Sequence, residues 1–485
     1  MKKNDPRGLE ASGSQTAESN HRALAAALIL TFSILVIFVG LIWLSALRSS
    51  VDGVTTSSGA RNAIVALGAC FSLAVIIRGL DLWTPRWLPW FGVSVTVSFL
   101  AVAALLFQSG NSDRAFAFYG GFQVPRAGRL FSDTHGLLSW FSCGFCAEWE
   151  AQYGPGLRAL YPLTGGQIGL SWLPFLGILF AVIALLTIYL LGRSSTGLGR
   201  WVVAASAVSP AWLLLVERAN WDVPIFAAIV IGAVLVAMRP TLVSWAALAV
   251  VIWVLGTIKI YPFALGVVLL LALGIRRGWT IVGGFLFAAS VFALANLNSL
   301  MRSGGLHSSP ELLAYEAGAT PAYGRVLLSR QLEGFVPNAM VTWMTVALLL
   351  AIVGLAAWWG WLVSTVGVGQ QTRVRLAVLS LAGATAFLAK TLVLGFGFAY
   401  TGVALLLVVP AILLQPGLRS LRNGSMVALA MLVLVTVFGA YNVLLGTLAG
   451  FVVSGFGLGF GLRVVWSIMQ EHWKTHRSAV VNIGG

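Results

Sequence analysis

The chain has 485 residues, 59% hydrophobic and only 9% charged, with a formal net charge of +15 and a mean hydropathy of +0.91. Soluble domains are about a quarter charged, so this composition excludes a soluble globular protein. No even apolar–polar alternation of a membrane β-barrel is present, which leaves a polytopic all-α membrane protein, because lipid offers backbone groups no partners outside a helix.

In chain order, residues 1–22 are a polar tail carrying Lys2, Lys3, Arg7 and Arg22, and they are assigned to the cytoplasm. The first apolar run, 23–47, is too long for the core of a signal peptide and is followed by no convincing small-residue cleavage site, so it is read as a retained helix. Further apolar runs predict helices near 61–77, 87–107, 168–191, 201–216, 223–238, 241–258, 262–275, 279–299, 338–364, 376–394, 401–414, 425–447 and 450–468. A span needs roughly 20 apolar residues, so the short runs 262–275 and 401–414 bring the expected number of transmembrane helices to about 11–14. Interrupted segments of that kind are tolerated only where protein or a cavity surrounds them.

Basic residues recur at the short connections: Arg78 and Arg86, Arg193 and Arg200, Arg239, Arg276 and Arg277, Arg373 and Arg375, Arg419 and Arg422, Lys474 and Arg477. They fall on alternate sides of successive runs, which is the positive-inside pattern. The surplus charge therefore sets orientation and implies no nucleic-acid partner. One transmembrane domain, 23–468, is followed by a cytoplasmic tail, 469–485. Two long polar stretches, 108–167 and 300–337, fall on the extracytoplasmic side as loops over the outer helix ends.

In the first of these loops, Asp133, His135, Glu148 and Glu150 accompany two cysteines. Asp133 is either a general base presented above a cavity or the cap of a short helix starting at Thr134 or His135. His135 is isolated and read as structural, and no metal-ligand spacing occurs in the chain. Cys70 lies in an apolar run and reads as packing. Cys143 and Cys146, outside the membrane, read as a local disulfide; zinc would require four ligands.

"ERANWD", residues 217–222, interrupts the apolar series. Asp222 can cap the next helix and Asn220 can end the previous one, but Glu217 and Arg218 adjoin "LLLV". Charges at that depth face a bundle interior or a wet cavity. "GTIKIYPFALG" places Lys259, Tyr261 and Pro262 on the same outer side. Lys259 either snorkels, pairs with Glu217 or Asp222, or serves function. For Lys390, in "FLAKTLVLGFGFAYTG", snorkelling and function both remain open. "SGFGLGFG", residues 454–461, has no preceding strand and is no nucleotide fingerprint. Gly455 with Gly459, and Gly457 with Gly461, instead suit close helix packing.

The block "ERANWD", followed some twenty residues after its helix by "LGTIKIYPFAL", resembles the paired "ERGN-x-D" and "LK-x-YP" signature of GT-C-type glycosyltransferases that use polyprenyl-phosphate sugars. Asp133, the downstream Cys143 and the Tyr153–Gly154–Pro155 step are similar to that group's early loop, and "GFGFAYTGVALLLVVP" is similar to its "DYR-x-x-FLL-x-P" segment. The likeness covers residues 130–415 discontinuously. Ala219 stands where the group has Gly, and Ala399–Tyr400–Thr401 stands for "DYR".

The resemblance implies a polyprenyl-phosphate sugar donor, an extracytoplasmic glycan or glycolipid acceptor of the cell envelope, and direct inverting displacement. It implies Asp133 as catalytic base and Arg218 and Lys259 as cations for the donor phosphate. Glu217, Asn220, Asp222, Tyr261, Lys390 and Tyr400 would position substrate, with no metal assigned. The expected location is the plasma membrane, with the site facing outward. A transporter or flippase of lipid-linked sugars is the competing class, since intramembrane charge and broken helices are expected there too. A non-catalytic scaffold is the third.

Overall fold

The structure is a computed structural model that describes residues 87–108, 130–142, 156, 169–194, 198–207, 210–239, 241–259, 261–274, 279–296, 321–332, 337–362, 370–393, 395, 397–413 and 443–481. The predicted helices 23–47 and 61–77, and Cys70, Cys143, Cys146, Glu148 and Glu150, lie outside them. So does nearly all of the predicted helix 425–447.

The described elements are α1 (Leu88–Gln108), α2 (Ser132–Ser142), α3 (Leu173–Ser194), α4 (Leu198–Ala207), α5 (Pro210–Glu217), α6 (Asp222–Met238) and α7 (Leu242–Ile258). They continue with α8 (Tyr261–Gly274), α9 (Trp279–Ala295), α10 (Arg325–Leu332), α11 (Asn338–Leu362), α12 (Gln370–Leu388), α13 (Val409–Leu413) and α14 (Val443–Val481). A π-helical turn, Ala389–Val393, extends α12, and a 3-10 helix, Ala399–Leu407, precedes α13. The one sheet among the described residues is a small antiparallel pair, β1 (Pro321–Tyr323) with β2 (Gly397–Phe398).

This is an α-helical membrane protein. Among the described residues, five helices are long and apolar enough to cross a bilayer, and four further apolar helices are shorter. Burial separates centre from periphery. The windows in Leu88–Leu105 and Met340–Leu362 are each 28% buried, whereas those in Thr372–Leu392 and Gly446–Glu471 are 78% and 72% buried. Large apolar side chains such as Phe287, Leu294 and Trp343 face outward, as a lipid environment permits. Polar α12 positions such as Ser380 and Thr385 are instead buried among neighbours.

Several boundaries differ from those read in the sequence, each for a local reason. The run 201–216 is two helices, α4 and α5, with Pro210 opening the second; proline is well placed in a first helical turn, where its missing N–H costs nothing. The run 401–414 is a 3-10 segment followed by α13. The expected break near 447–450 is absent. α14 is continuous over 39 residues and passes 468 to end at Val481. Both polar stretches hold ordered elements, α2 in the first and β1 with α10 in the second.

α14 packs along α11 and α12, and its glycines explain how closely. A Cβ at Gly455 would lie 2.6 Å from the carbonyl oxygen of Val353, and one at Gly459 would lie 1.8 Å from that of Ala357. On another face, Gly457 meets Val408 and Gly461 meets Leu381. The small residues read from the sequence thus serve two neighbours at once, as close packing within a bilayer requires. Gly354 on α11, by contrast, has open space around it. Gly459→Val is expected to destabilise the protein by about 1–3 kcal/mol or more through overpacking. Gly354→Ala should be neutral or stabilise by roughly 0.5–1 kcal/mol. Thermal unfolding of the two purified variants in one detergent checks the contrast.

Candidate functional site

The site begins where α5 ends. The last carbonyls of a helix have no intrahelical partner, and those of α5 and the following turn are met by the chain entering α2. Phe131 N donates to Glu217 O at 2.8 Å, Asp133 N to Arg218 O at 3.1 Å, and Thr134 Oγ1 to Ala219 O at 2.7 Å. Three successive carbonyls of "ERANWD" are thereby satisfied by three residues of the first polar stretch. Ala219 takes a left-handed conformation with φ 47°. For a residue with a Cβ this costs about 1–2 kcal/mol, which gives a physical reason for glycine at this place in the resembling motif.

This docking aims the Asp133 carboxylate at the turn. Its Oδ1 accepts from Arg218 Nε at 2.7 Å, with Arg218 Nη2 closing an ion pair, and its Oδ2 accepts from Asn220 Nδ2 at 2.6 Å. Asp133, Glu217, Arg218 and Asn220 are all buried. Asp133 is the second residue of α2 rather than its cap, so the capping reading fails: the side chain is committed across the fold.

Asn220 joins this pair to a second centre. Its Oδ1 accepts from Asp222 N at 2.8 Å and from Lys259 Nζ at 3.4 Å. Asn220 therefore joins two helices: its N–H donates to Leu215 O at 3.3 Å and closes α5, and its side chain meets the start of α6, while Asp222 itself makes no side-chain cap. The carboxylate of Asp222 points away from its helix start. Oδ1 accepts from Lys259 Nζ at 2.7 Å and from Tyr261 Oη at 3.3 Å, and Oδ2 forms an ion pair with Lys390 Nζ. Lys390 Nζ also lies 4.9 Å from the centre of the Tyr261 ring. Of the alternatives for Lys259, pairing with Asp222 is the one observed.

One network thus unites Asp133, Arg218, Asn220, Asp222, Lys259, Tyr261 and Lys390. Glu217 is 2% exposed and its carbonyl supports α2. Tyr400 lies in the 3-10 helix, with its side chain outside the described residues. Arg218 pairs with Asp133 and Lys259 with Asp222. Among the described residues no group of three or more His, Cys, Asp or Glu is placed to hold a metal ion.

A cavity of about 70 Å³ lies against the second centre. Asp222, Tyr261 and Lys390 supply its charged and phenolic wall. Leu191, Trp212, Leu215, Val223, Phe226, Val403, Ala404 and Leu407 supply most of the rest, with Thr187 and Thr401 as further hydroxyls. Lys390 is the cation among the residues that line this wall. Sequence reading had no signal for the apolar wall, since Leu215, Phe226 and Leu407 look like any other membrane-helix residues.

No family model, curated protein or solved structure matches this chain.

Removing one member of a buried ion pair leaves the other charge uncompensated. Arg218→Met is therefore expected to destabilise by about 3–5 kcal/mol, whereas Arg218→Met with Asp133→Leu recovers most of that loss. Denaturation midpoints of the single and double variants check this; equal losses in both would show that the pair does not act as a unit.

Proposed function

We propose that this protein is a GT-C-type glycosyltransferase that moves a sugar from a polyprenyl-phosphate donor to an extracytoplasmic glycan or glycolipid of the cell envelope. The observation that carries this reading is the convergence of four distant segments on one charged network at the wall of an apolar cavity. Such a ligand has both features: a single phosphate at the membrane boundary and a hydrocarbon chain. An intramembrane cluster of this kind marks a functional site by its cost alone.

In the proposed reaction the acceptor hydroxyl oxygen attacks the anomeric carbon as the bond from that carbon to the phosphate oxygen breaks. The acceptor proton passes to a carboxylate, and polyprenyl phosphate departs with the additional negative charge. Preorganised cations in a water-poor site stabilise that charge strongly. Lys390 and Lys259 share one carboxylate, Asp222, at the cavity. Arg218 and Asn220 together fix the orientation of the Asp133 carboxylate. Asp133 is assigned as the general base, and the site is assigned to the outer face of the plasma membrane.

Protein reconstituted in liposomes with a polyprenyl-phosphate sugar and an acceptor separates the classes. Glycosylated acceptor supports the reading, while movement of the donor between leaflets without transfer would establish a flippase. Asp133→Asn keeps the shape of the side chain and removes the proton acceptor. Turnover should fall by ~10² to ~10⁴ while donor binding is retained. Near-normal turnover in Asp133→Asn together with its loss in Asp222→Asn would move the base to Asp222.

A further inference from the structure

Lys390 reaches the cavity from an irregular stretch of chain. α12 ends at Leu388 and the next five residues, Ala389–Val393, form a π-helical turn. Such turns are uncommon and are enriched at functional sites. Widening the turn changes the direction in which its side chains leave the helix and loosens the hold on its last carbonyls. Here the turn sends Lys390 to Asp222 and the Tyr261 ring.

What closes the turn comes from the second polar stretch. Arg325 Nε donates to Leu392 O at 2.8 Å, and Val326 N donates to Gly395 O at 3.1 Å. Gly395 has φ +96°, and a Cβ there would lie 3.0 Å from Val326 Cγ2 and 3.4 Å from an Arg325 guanidinium nitrogen. Just beyond it, β2 pairs with β1, the strand that leads into α10. Gly324, between β1 and α10, donates its N–H to Thr447 Oγ1 of α14 at 3.1 Å. The segment Pro321–Leu332 is thus anchored to the most buried helices and grips the π turn at its carbonyl end. None of its residues lines the cavity.

We infer that Arg325 is a positioning residue for Lys390: by holding the carbonyl of Leu392 it fixes the π turn, and so fixes where the ammonium group meets the anionic group of a ligand in the cavity. This rests on the reading of the cavity as a site for a lipid phosphate, though not on any transfer step. A guanidinium suits the task, since it is a permanent cation with several donors on a planar frame, placed where a helix end presents negative partial charge. A segment that only braced the helix ends would affect every ligand equally. A segment that positions Lys390 affects only the part of binding that depends on negative charge.

The test is read in binding to the purified full-length protein in detergent, with farnesyl phosphate, farnesol and inorganic phosphate as probes. The wild type should prefer farnesyl phosphate over farnesol by about 10-fold or more, the range of a charge-assisted contact. Lys390→Met should abolish that preference. Arg325→Ala should lower it by about 10-fold with farnesol affinity unchanged, and should add nothing in the Lys390→Met background. Arg325→Lys, which keeps a charged donor, should restore part of it. The inference is overturned if Arg325→Ala keeps the full preference, if it weakens both lipids alike, or if the two substitutions add. It is also overturned if both Arg325 variants fail to fold, which would make the residue structural. Inorganic phosphate binding as tightly as farnesyl phosphate would exclude a lipid ligand. An intact, Lys390-dependent preference without sugar transfer would sink the glycosyltransferase reading and leave this one standing.

Discussion

A carboxylate buried among apolar helices persists only if cations and hydrogen-bond donors surround it, because an unpaired charge there costs several kcal/mol. Asp133, buried, and Asp222, half-buried, are both held in this way, and Asn220 bridges them: its amide donates to the Asp133 carboxylate and accepts from Lys259, a partner of Asp222. Much of the local architecture follows from that constraint. The helix that would otherwise continue through residues 217–222 is broken, Ala219 accepts a left-handed conformation, and α2 docks its first residues onto the carbonyls this break releases. The break therefore lies where the charges need it.

The two centres have different characters. Asp133 and Arg218 neutralise each other, and the carboxylate is completed by the amide of Asn220. Asp222 meets two lysine amino groups and a phenol, and together with Tyr261 and Lys390 it forms the polar wall of the apolar cavity. In the proposed reaction this division is useful. The second centre meets the phosphate, while the first holds the base in place at one amide's remove from it. Hydrocarbon walls on the same cavity would place the donor's chain where it would otherwise be solvated by lipid.

Much of the helical framework was legible because runs of apolar residues leave few alternatives in a membrane. Helices α1, α3, α6, α7, α8 and α11 fall within a few residues of their sequence-based positions. The candidate site was legible for the same reason in reverse: Glu217, Arg218, Asn220, Asp222, Lys259 and Lys390 are conspicuous in an apolar chain, and all of them except the Glu217 side chain fall into the described network. The pairing was not legible. Which cation meets which carboxylate depends on helix ends that are far apart in sequence. The roles of Arg325 and of the π turn were hidden as well, because a lone arginine in a polar stretch and a widened turn leave no periodic trace. Apolar periodicity also misled at 447–450, where glycines that look like a break are the contact surface of a continuous helix.

The most direct test of the account is an experimental structure of the protein with decaprenyl phosphate bound. The account predicts the phosphate in hydrogen-bonding contact with Lys390 and Tyr261, with Asp222 giving up part of its hold on Lys390, and the first isoprene units against Phe226 and Leu407. A phosphate bound elsewhere on the protein, with the ion pair of Asp222 and Lys390 unchanged and the cavity empty, would contradict it.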